Sequence, residues 1–320
     1  MKRWLPNVFL FFISTSVIFI SLATTAALAG EKVDQTLEFI EGGKVSISNV
    51  NGEIKVSGWN KQEVRVVGEL SDRNKEFTFK RNNSRMLIEM LDKSGWGGKG
   101  DDLEIFVPIM SEIEFESPNS KFTLDTIKGK IDLDAVNGNI EVNDIEGRVK
   151  IEVVNGNIVC KDIDGDIDLE TVNGNIIASA IKSEHGEFEA VNGNIEVEGH
   201  IVDFSAETVS GNIKARIKNL NTMEVESVSG NAELELGFSG EPELHVNTVS
   251  GGVNVFFLNE PSAHFDITTH TGGNISNALS DDKAQKAQYG PSRSLNFSHK
   301  GGKGKVAIST LHGDVVIKNK

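Results

Sequence analysis

The sequence predicts an all-β chain: a parallel β-solenoid (β-helix) with about 18 residues per coil and a β-rich N-terminal portion. Three observations predict it. The phrase Val-Asn-Gly-Asn-Ile recurs around Gly138, Gly156, Gly174 and Gly193, then continues in looser form around Gly211, Gly230 and Gly251, at intervals of 18, 18, 19, 18, 19 and 21 residues. Gly129, Gly147 and Gly165 fall midway between the early phrases, so each unit halves into two short strands closed by tight turns. Between the glycines, apolar and polar residues alternate as they do in strands. Units this short bury a core only by stacking on their neighbours.

At the N-terminus, Lys2-Arg3, an apolar run from Val8 to about Ala23 and the small-residue site Ala27-Leu28-Ala29 form the pattern of a secretory signal peptide, residues 1–29. The Ala-x-Ala site favours cleavage over retention as a membrane anchor. No cysteine follows it to carry lipid, and no second apolar run is long enough to span a bilayer. The expected location is outside the cytoplasm: periplasm, cell surface or extracellular. Removing Lys2 and Arg3 takes the net charge from −15 to −17. That excess argues against nucleic acid and anionic lipid as partners. It points to a protein, basic in character, to a neutral glycan or to metal cations.

Residues 30–126 read as β-rich and irregular, a first coil and a cap for the stack. Val50-Asn51-Gly52-Glu53-Ile54 repeats the phrase, and strands are expected over Val64–Leu70, Phe77–Lys80, Met86–Leu91 and Leu103–Val107, with turns at Asn82-Asn83 and from Gly95 to Gly100. Residues 127–320 read as the regular repeats. Counting from each loop glycine, the fifth residue before it (Leu133, Ile151, Leu169, Phe188, Ala206, Val225, Val246), the second before it (Val136, Val154, Val172, Val191, Val209, Val228, Val249) and the second after it (Ile140, Ile158, Ile176, Ile195, Ile213, Ala232, Val253) are expected to point inward as aliphatic ladders.

The glycine is expected to serve a positive φ in the turn. Asn137, Asn155, Asn173 and Asn192 before it, and Asn139, Asn157, Asn175, Asn194, Asn212 and Asn231 after it, should stack as asparagine ladders. The single cysteine, Cys160, occupies a slot held by Val142, Ala178, Val197 and Ala215 in other coils and reads as buried and inert. With Gly273 and Gly313 added, nine coils at about 4.8 Å give a rod of roughly 43 Å. The 40 residues between those two glycines imply an insertion, residues 278–304, expected as a mobile basic surface loop. A last coil from Val306 to Ile317 is expected to close the chain, its Lys318-Asn319-Lys320 end guarding against end-to-end pairing.

Four residues before successive glycines stand Asp134, Glu152, Glu170, Glu189, Glu207 and Glu226, then Asn247. Six before stand Asp132, Lys150, Asp168, Glu187, Ser205, Glu224 and His245. One face should therefore carry a negative stripe, although like charges on neighbouring strands cost stability. Three readings are open: a guard against face-to-face packing, a face for divalent cations or a basic partner, or a surface neutralised by the chain's own basic loop. The calcium turn of other nine-residue repeats is disfavoured, since Asp164-Gly165-Asp166 aligns with Glu146-Gly147-Arg148 and Lys128-Gly129-Lys130.

No catalytic motif is present: there is no His-Glu-x-x-His, Gly-x-Ser-x-Gly, phosphate loop or Cys-x-x-Cys. His264 and His270 flank Phe265-Asp266-Ile267 without a third ligand at a defined spacing. The expectation is no enzyme, no catalytic residues, no cofactor and no resident metal. Turn glycines every nine residues also speak against the hexapeptide acyltransferase helix, whose apolar residue recurs every six.

Val50-Asn51-Gly52-Glu53-Ile54 with Ser57-Gly58-Trp59, Leu103-Glu104-Ile105-Phe106-Val107-Pro108, and the run of Val-Asn/Ser-Gly-Asn-Ile coils together resemble the adhesin/DUF4097-type β-strand-repeat family of exported bacterial proteins. The resemblance covers nearly all of the chain after residue 29. It implies a non-catalytic β-solenoid of the cell envelope, adhesin-like or structural, with no catalytic residues to carry over. The alternatives are a carbohydrate-active β-helix enzyme and an envelope scaffold or sensor partner without a ligand of its own.

Overall fold

The computed structural model describes residues 30–71, 76–91 and 100–320. The expected signal peptide, residues 1–29, and the turn expected from Gly95 lie outside these residues, apart from Gly100. Every regular element described is a strand. The chain begins with β1 (Glu31–Glu38), β2 (Lys44–Asn49), β3 (Asn51–Trp59), β4 (Glu63–Leu70), β5 (Glu76–Asn82), β6 (Arg85–Leu91) and β7 (Asp101–Pro108). The regular coils are built from β8 (Glu112–Ile127), β9 (Ile131–Asn137), β10 (Ile140–Glu146), β11 (Val149–Asn155), β12 (Ile158–Asp164), β13 (Ile167–Asn173), β14 (Ile176–Asn192), β15 (Ile195–Ser210), β16 (Ile213–Ser229) and β17 (Ala232–Ser250). The chain ends with β18 (Val253–Phe257), β19 (Ala263–Thr269), β20 (Ile275–Asn277), β21 (Gln285–Lys286), β22 (Arg293–His299), β23 (Gly304–His312) and β24 (Val315–Asn319).

Each coil contributes one strand to a front face and one to a back face, and each strand pairs in parallel with its counterpart one coil on. On the front, Leu133, Ile151, Leu169, Phe188, Ala206, Val225 and Val246 are successive partners. On the back, the same holds for Ile140, Ile158, Ile176, Ile195, Ile213, Ala232 and Val253. Both ladders are buried and meet in one core between the faces. Cys160 lies there fully buried, and burial pushes its thiol well above the usual range, so it is inert as expected.

The asparagine ladders form, with two different bonding patterns. Before the glycine, amide bonds amide: Asn155 Nδ2 donates to Asn137 Oδ1 at 3.0 Å and Asn173 Nδ2 to Asn155 Oδ1 at 2.9 Å. After the glycine, the side-chain oxygen caps the backbone of the next coil: the N–H of Asn175 donates to Asn157 Oδ1 at 2.8 Å and that of Asn194 to Asn175 Oδ1 at 2.9 Å. Turn amides that no strand would pair are satisfied this way.

The expected positive φ holds at Gly138, Gly211, Gly230 and Gly251 (143–158°) but not at Gly156, Gly174 and Gly193; the feature common to the whole stack is close approach of the backbones. A Cβ at Gly174 would stand 1.8 Å from the carbonyl oxygen of Gly156, and one at Gly193 would stand 1.6 Å from that of Gly174. Residues with genuinely left-handed φ sit at the other corner, at Thr126, Asp144, Asp162 and Ala180 (φ 53–59°).

One expected inward column points out. Val136, Val154, Val191, Val209, Val228 and Val249 are 40–48% exposed, and Val172 is half-buried. The reason is parity: the second and fourth residues before the glycine share a side of the strand, while the third and fifth share the other. The inward partners of Leu133, Ile151 and Leu169 are therefore Ala135, Val153 and Thr171, all buried.

Neither end of the stack follows chain order. β8 pairs on one side with β9 and β10 and on the other with β2 and β3, so the N-terminal strands join the same stack. β2 and β3 are in turn covered by β6 and β7, which follow them in sequence. Beyond these, β5 runs antiparallel to β6, β4 runs antiparallel to β7, and β1 pairs antiparallel with β4 at the outer edge. At the other end β23 lies between β17 and β19, and β24 between β18 and β20. The last coil is thus one layer in from the end, and Lys318-Asn319-Lys320 does not form the terminal edge.

Residues 278–304, expected as a mobile loop, supply that end instead. β22 caps β19 in antiparallel pairing, with Leu295 and Phe297 buried and Phe297 stacked on Phe265 at 4.6 Å. About 12 parallel strands on the front face make a rod of roughly 50 Å.

Candidate binding face

All six carboxylates singled out from sequence stand in one column. Cross-strand register places Asp134 beside Glu152, Glu152 beside Glu170, Glu170 beside Glu189, Glu189 beside Glu207 and Glu207 beside Glu226. The structure adds Glu116 of β8, registered with Asp134. Counting from the glycine missed it because Ser120 replaces the glycine in that coil; counting from Ser120 would have found it. Beyond Glu226 the column continues as Asn247, whose Nδ2 donates to Glu226 Oε1 at 3.3 Å, and Ser309.

The carboxylates disturb one another. Burial, then the charges of Glu152, Asp132 and Glu116, hold the Asp134 carboxyl above the usual range. Burial, then Glu170, Glu187 and Glu207, do the same for Glu189. Among the described residues, cations reach only the N-terminal part of the stripe, where Lys130 meets Asp132 at 3.3 Å, Lys150 meets Glu152 at 2.5 Å and Arg148 meets Asp168 at 4.0 Å. Among the described residues, Glu170, Glu189 and Glu207 have no ion pair.

The basic segment does not neutralise them. Lys300 pairs with Glu260 at 3.1 Å and Lys303 with Glu241 at 2.9 Å, away from the column. The back face is balanced by contrast. Lys214 meets Glu196 at 2.9 Å, and Arg216 and Lys320 both meet Glu235 at 2.6 Å, holding its carboxyl below the usual range. The nearest approach to a calcium turn is likewise paired, Asp164 with Lys182 at 2.6 Å.

Beside the acid column runs the exposed valine column, continued by Leu311 in β23 (41% exposed). Between the two lies a shallow groove. Its N-terminal stretch is lined by Glu116, Asp134, Glu152 and Glu170 on one side and Val136, Val154 and Val172 on the other; a further stretch is lined by Glu207 and Glu226 against Val228, Val249 and Leu311. The floor is strand backbone, because the residues between the two columns, Ala135, Val153, Thr171, Ala190 and Thr208, point inward, with Thr171 Oγ1 turned onto the carbonyl of Gly156 at 3.1 Å.

Among the described residues no three His, Cys, Asp or Glu side chains converge as a metal site. A divalent ion would meet neighbouring pairs of the ladder at most. His264 and His270 bond Ser298 and Ser309 rather than each other.

The model of the Toastrack DUF4097 family matches residues 43–318. The chain belongs to this family. The Toastrack match thus takes in the N-terminal strands from β2 onward together with the regular coils. No curated protein matches the sequence significantly. Among solved structures, the chain is similar to a "putative adhesin" from Bacteroides fragilis (12% identity, 91% of this chain and 97% of that one, TM-score 0.37) and to another from Parabacteroides distasonis (12%, 90% and 98%, TM-score 0.35). It is also similar to a "putative cell adhesion protein" from Clostridium sporogenes (11%, 91% and 100%, TM-score 0.21). Among the described residues no helix is long and apolar enough to cross a membrane.

Proposed function

We propose that this Toastrack chain is an exported, non-catalytic, adhesin-like binding module of the cell envelope, and that its working surface is the acid column of the front face. One observation carries this reading. The back face pairs its charges across strands, whereas on the front Glu170, Glu189 and Glu207 have, among the described residues, no counter-charge, at a standing cost in stability. A guard against packing would need only scattered charge; an unbroken column that, among the described residues, has no ion pair at Glu170, Glu189 and Glu207 is complementary to a basic partner. Catalysis by these carboxylates is disfavoured because an acid and a base need environments that push their pKa values apart, and here Asp134 and Glu189 are pushed the same way.

The test is retention of polylysine, polyglutamate and neutral dextran on the immobilised protein, beside the variant E170Q/E189Q/E207Q. Polylysine alone should be retained, and the variant should lose at least tenfold in affinity. Equal retention of polylysine by both proteins would remove the acid column from the binding surface.

A further inference from the structure

We infer that the groove takes an extended polypeptide segment carrying both cationic and apolar side chains, laid lengthwise along the stack between the acid and aliphatic columns. The inference rests on the proposed function and specifies its partner.

Single exposed aliphatic residues are ordinary; a registered line of them is a patch that calls for a partner. The line here runs from Val136 to Leu311, one side chain per coil. The fold does not require it. Pro118 holds the equivalent position in the coil of β8 and His270, next to the Thr269–Thr310 pair, in the coil of β19, and both turns close. The line therefore answers to something outside the core.

Geometry limits the occupant. The columns are two residues apart on each strand, about 7 Å, which is room for one extended backbone above the strand backbones between them. From Glu116 to Ser309 the groove spans about eight strand spacings, roughly 38 Å, the length of about 11 extended residues. Such a segment can turn alternate side chains to opposite walls, cations to the carboxylates and apolar groups to the valines. Its side-chain repeat of about 7 Å does not match the 4.8 Å ladder, so binding should accumulate with length without a fixed register. A second copy laid face to face would set like charge against like, and a small polyamine would leave the aliphatic wall uncovered.

The test is fluorescence anisotropy with labelled 12-residue peptides alternating Lys/Leu, Lys/Ser and Glu/Leu. They are titrated with the protein, with E170Q/E189Q/E207Q, and with V172T/V191T/V209T, which keeps the β-branched shape; thermal melts check that both variants fold. Lys/Leu should bind at least tenfold tighter than Lys/Ser, and Glu/Leu not at all. The threonine variant should lose that advantage while binding Lys/Ser unchanged. Equal binding of the two lysine peptides, tighter binding of spermine than of Lys/Leu, or full Lys/Leu affinity in the threonine variant overturns the inference. If the glutamine variant loses both lysine peptides while the threonine variant loses nothing, the acid-column reading survives and this one falls. If the glutamine variant loses neither, both fall.

Discussion

A methyl group at Gly174 would have no place to go. The site of its Cβ is 1.8 Å from the carbonyl oxygen of Gly156 and 2.6 Å from the carbonyl carbon. That neighbour is backbone, held in register by the N–H of Gly156 donating to Asn173 O (3.0 Å), and cannot swing aside as a side chain would. G174A should therefore cost more than about 3 kcal/mol in a urea melt, in the class of severe backbone effects. A loss under about 1 kcal/mol would mean the coils can part locally. The repeat of glycine was plain in the sequence, and so was part of its cause, the positive φ found at Gly138, Gly211, Gly230 and Gly251; the close approach that also governs Gly156, Gly174 and Gly193 was not. Positive φ is a local property that one turn can suggest, whereas contact between turns exists only after stacking. Val136 and its counterparts teach a different lesson at this scale, since their outward direction followed from strand parity alone and needed no coordinates.

At the scale of elements, the last coil is held where chain ends seldom are. β23 has β17 on one side and β19 on the other, and β24 has β18 and β20. Val306, Ile308, Val315 and Ile317 are fully or nearly fully buried. Termini ordinarily fray, and exchange protection follows pairing and burial. Hydrogen exchange should accordingly place the amides of Ile308, Val315 and Ile317 among the slowest in the molecule, slower than those of β21 at the outer edge. Rapid exchange there would show that the coil slips out of the stack. The edges left over are short or charged: β21 has two residues, and β1 carries Glu31, Lys32, Asp34 and Glu38. Such edges discourage pairing with other chains.

Across the whole molecule, charge is sorted by face. The acid column repels itself, so its stability effect has a definite sign with pH. Asp134 and Glu189 hold their protons to higher pH when folded than when unfolded. Their contribution therefore favours folding least above the raised folded value, and the penalty fades as pH falls through that value toward the ordinary carboxylate range near 4. E189Q should be more stable than the parent at pH 7, by less than about 1 kcal/mol because the site is part-exposed and screened. The gain should vanish near pH 3.5. A variant less stable at pH 7 would mean that Glu189 has a favourable partner. Glu235, held low by Arg216 and Lys320, works the opposite way in both proteins and drops out of the difference.

What the sequence determined by itself is everything that repeats. A two-residue strand period superposed on a nearly constant coil length places like residues in columns, so the core ladders, the asparagine ladders, the buried Cys160 and the acid column could be read by counting. What only the tertiary structure decided is which coil lies next to which at the two ends, and with it the place of β2 and β3, of β23 and β24, and of the basic segment that caps β19. A strand edge offers the same row of N–H and C=O groups to any neighbour, so pairing order is settled by how the whole stack closes and not by the residues of any one coil.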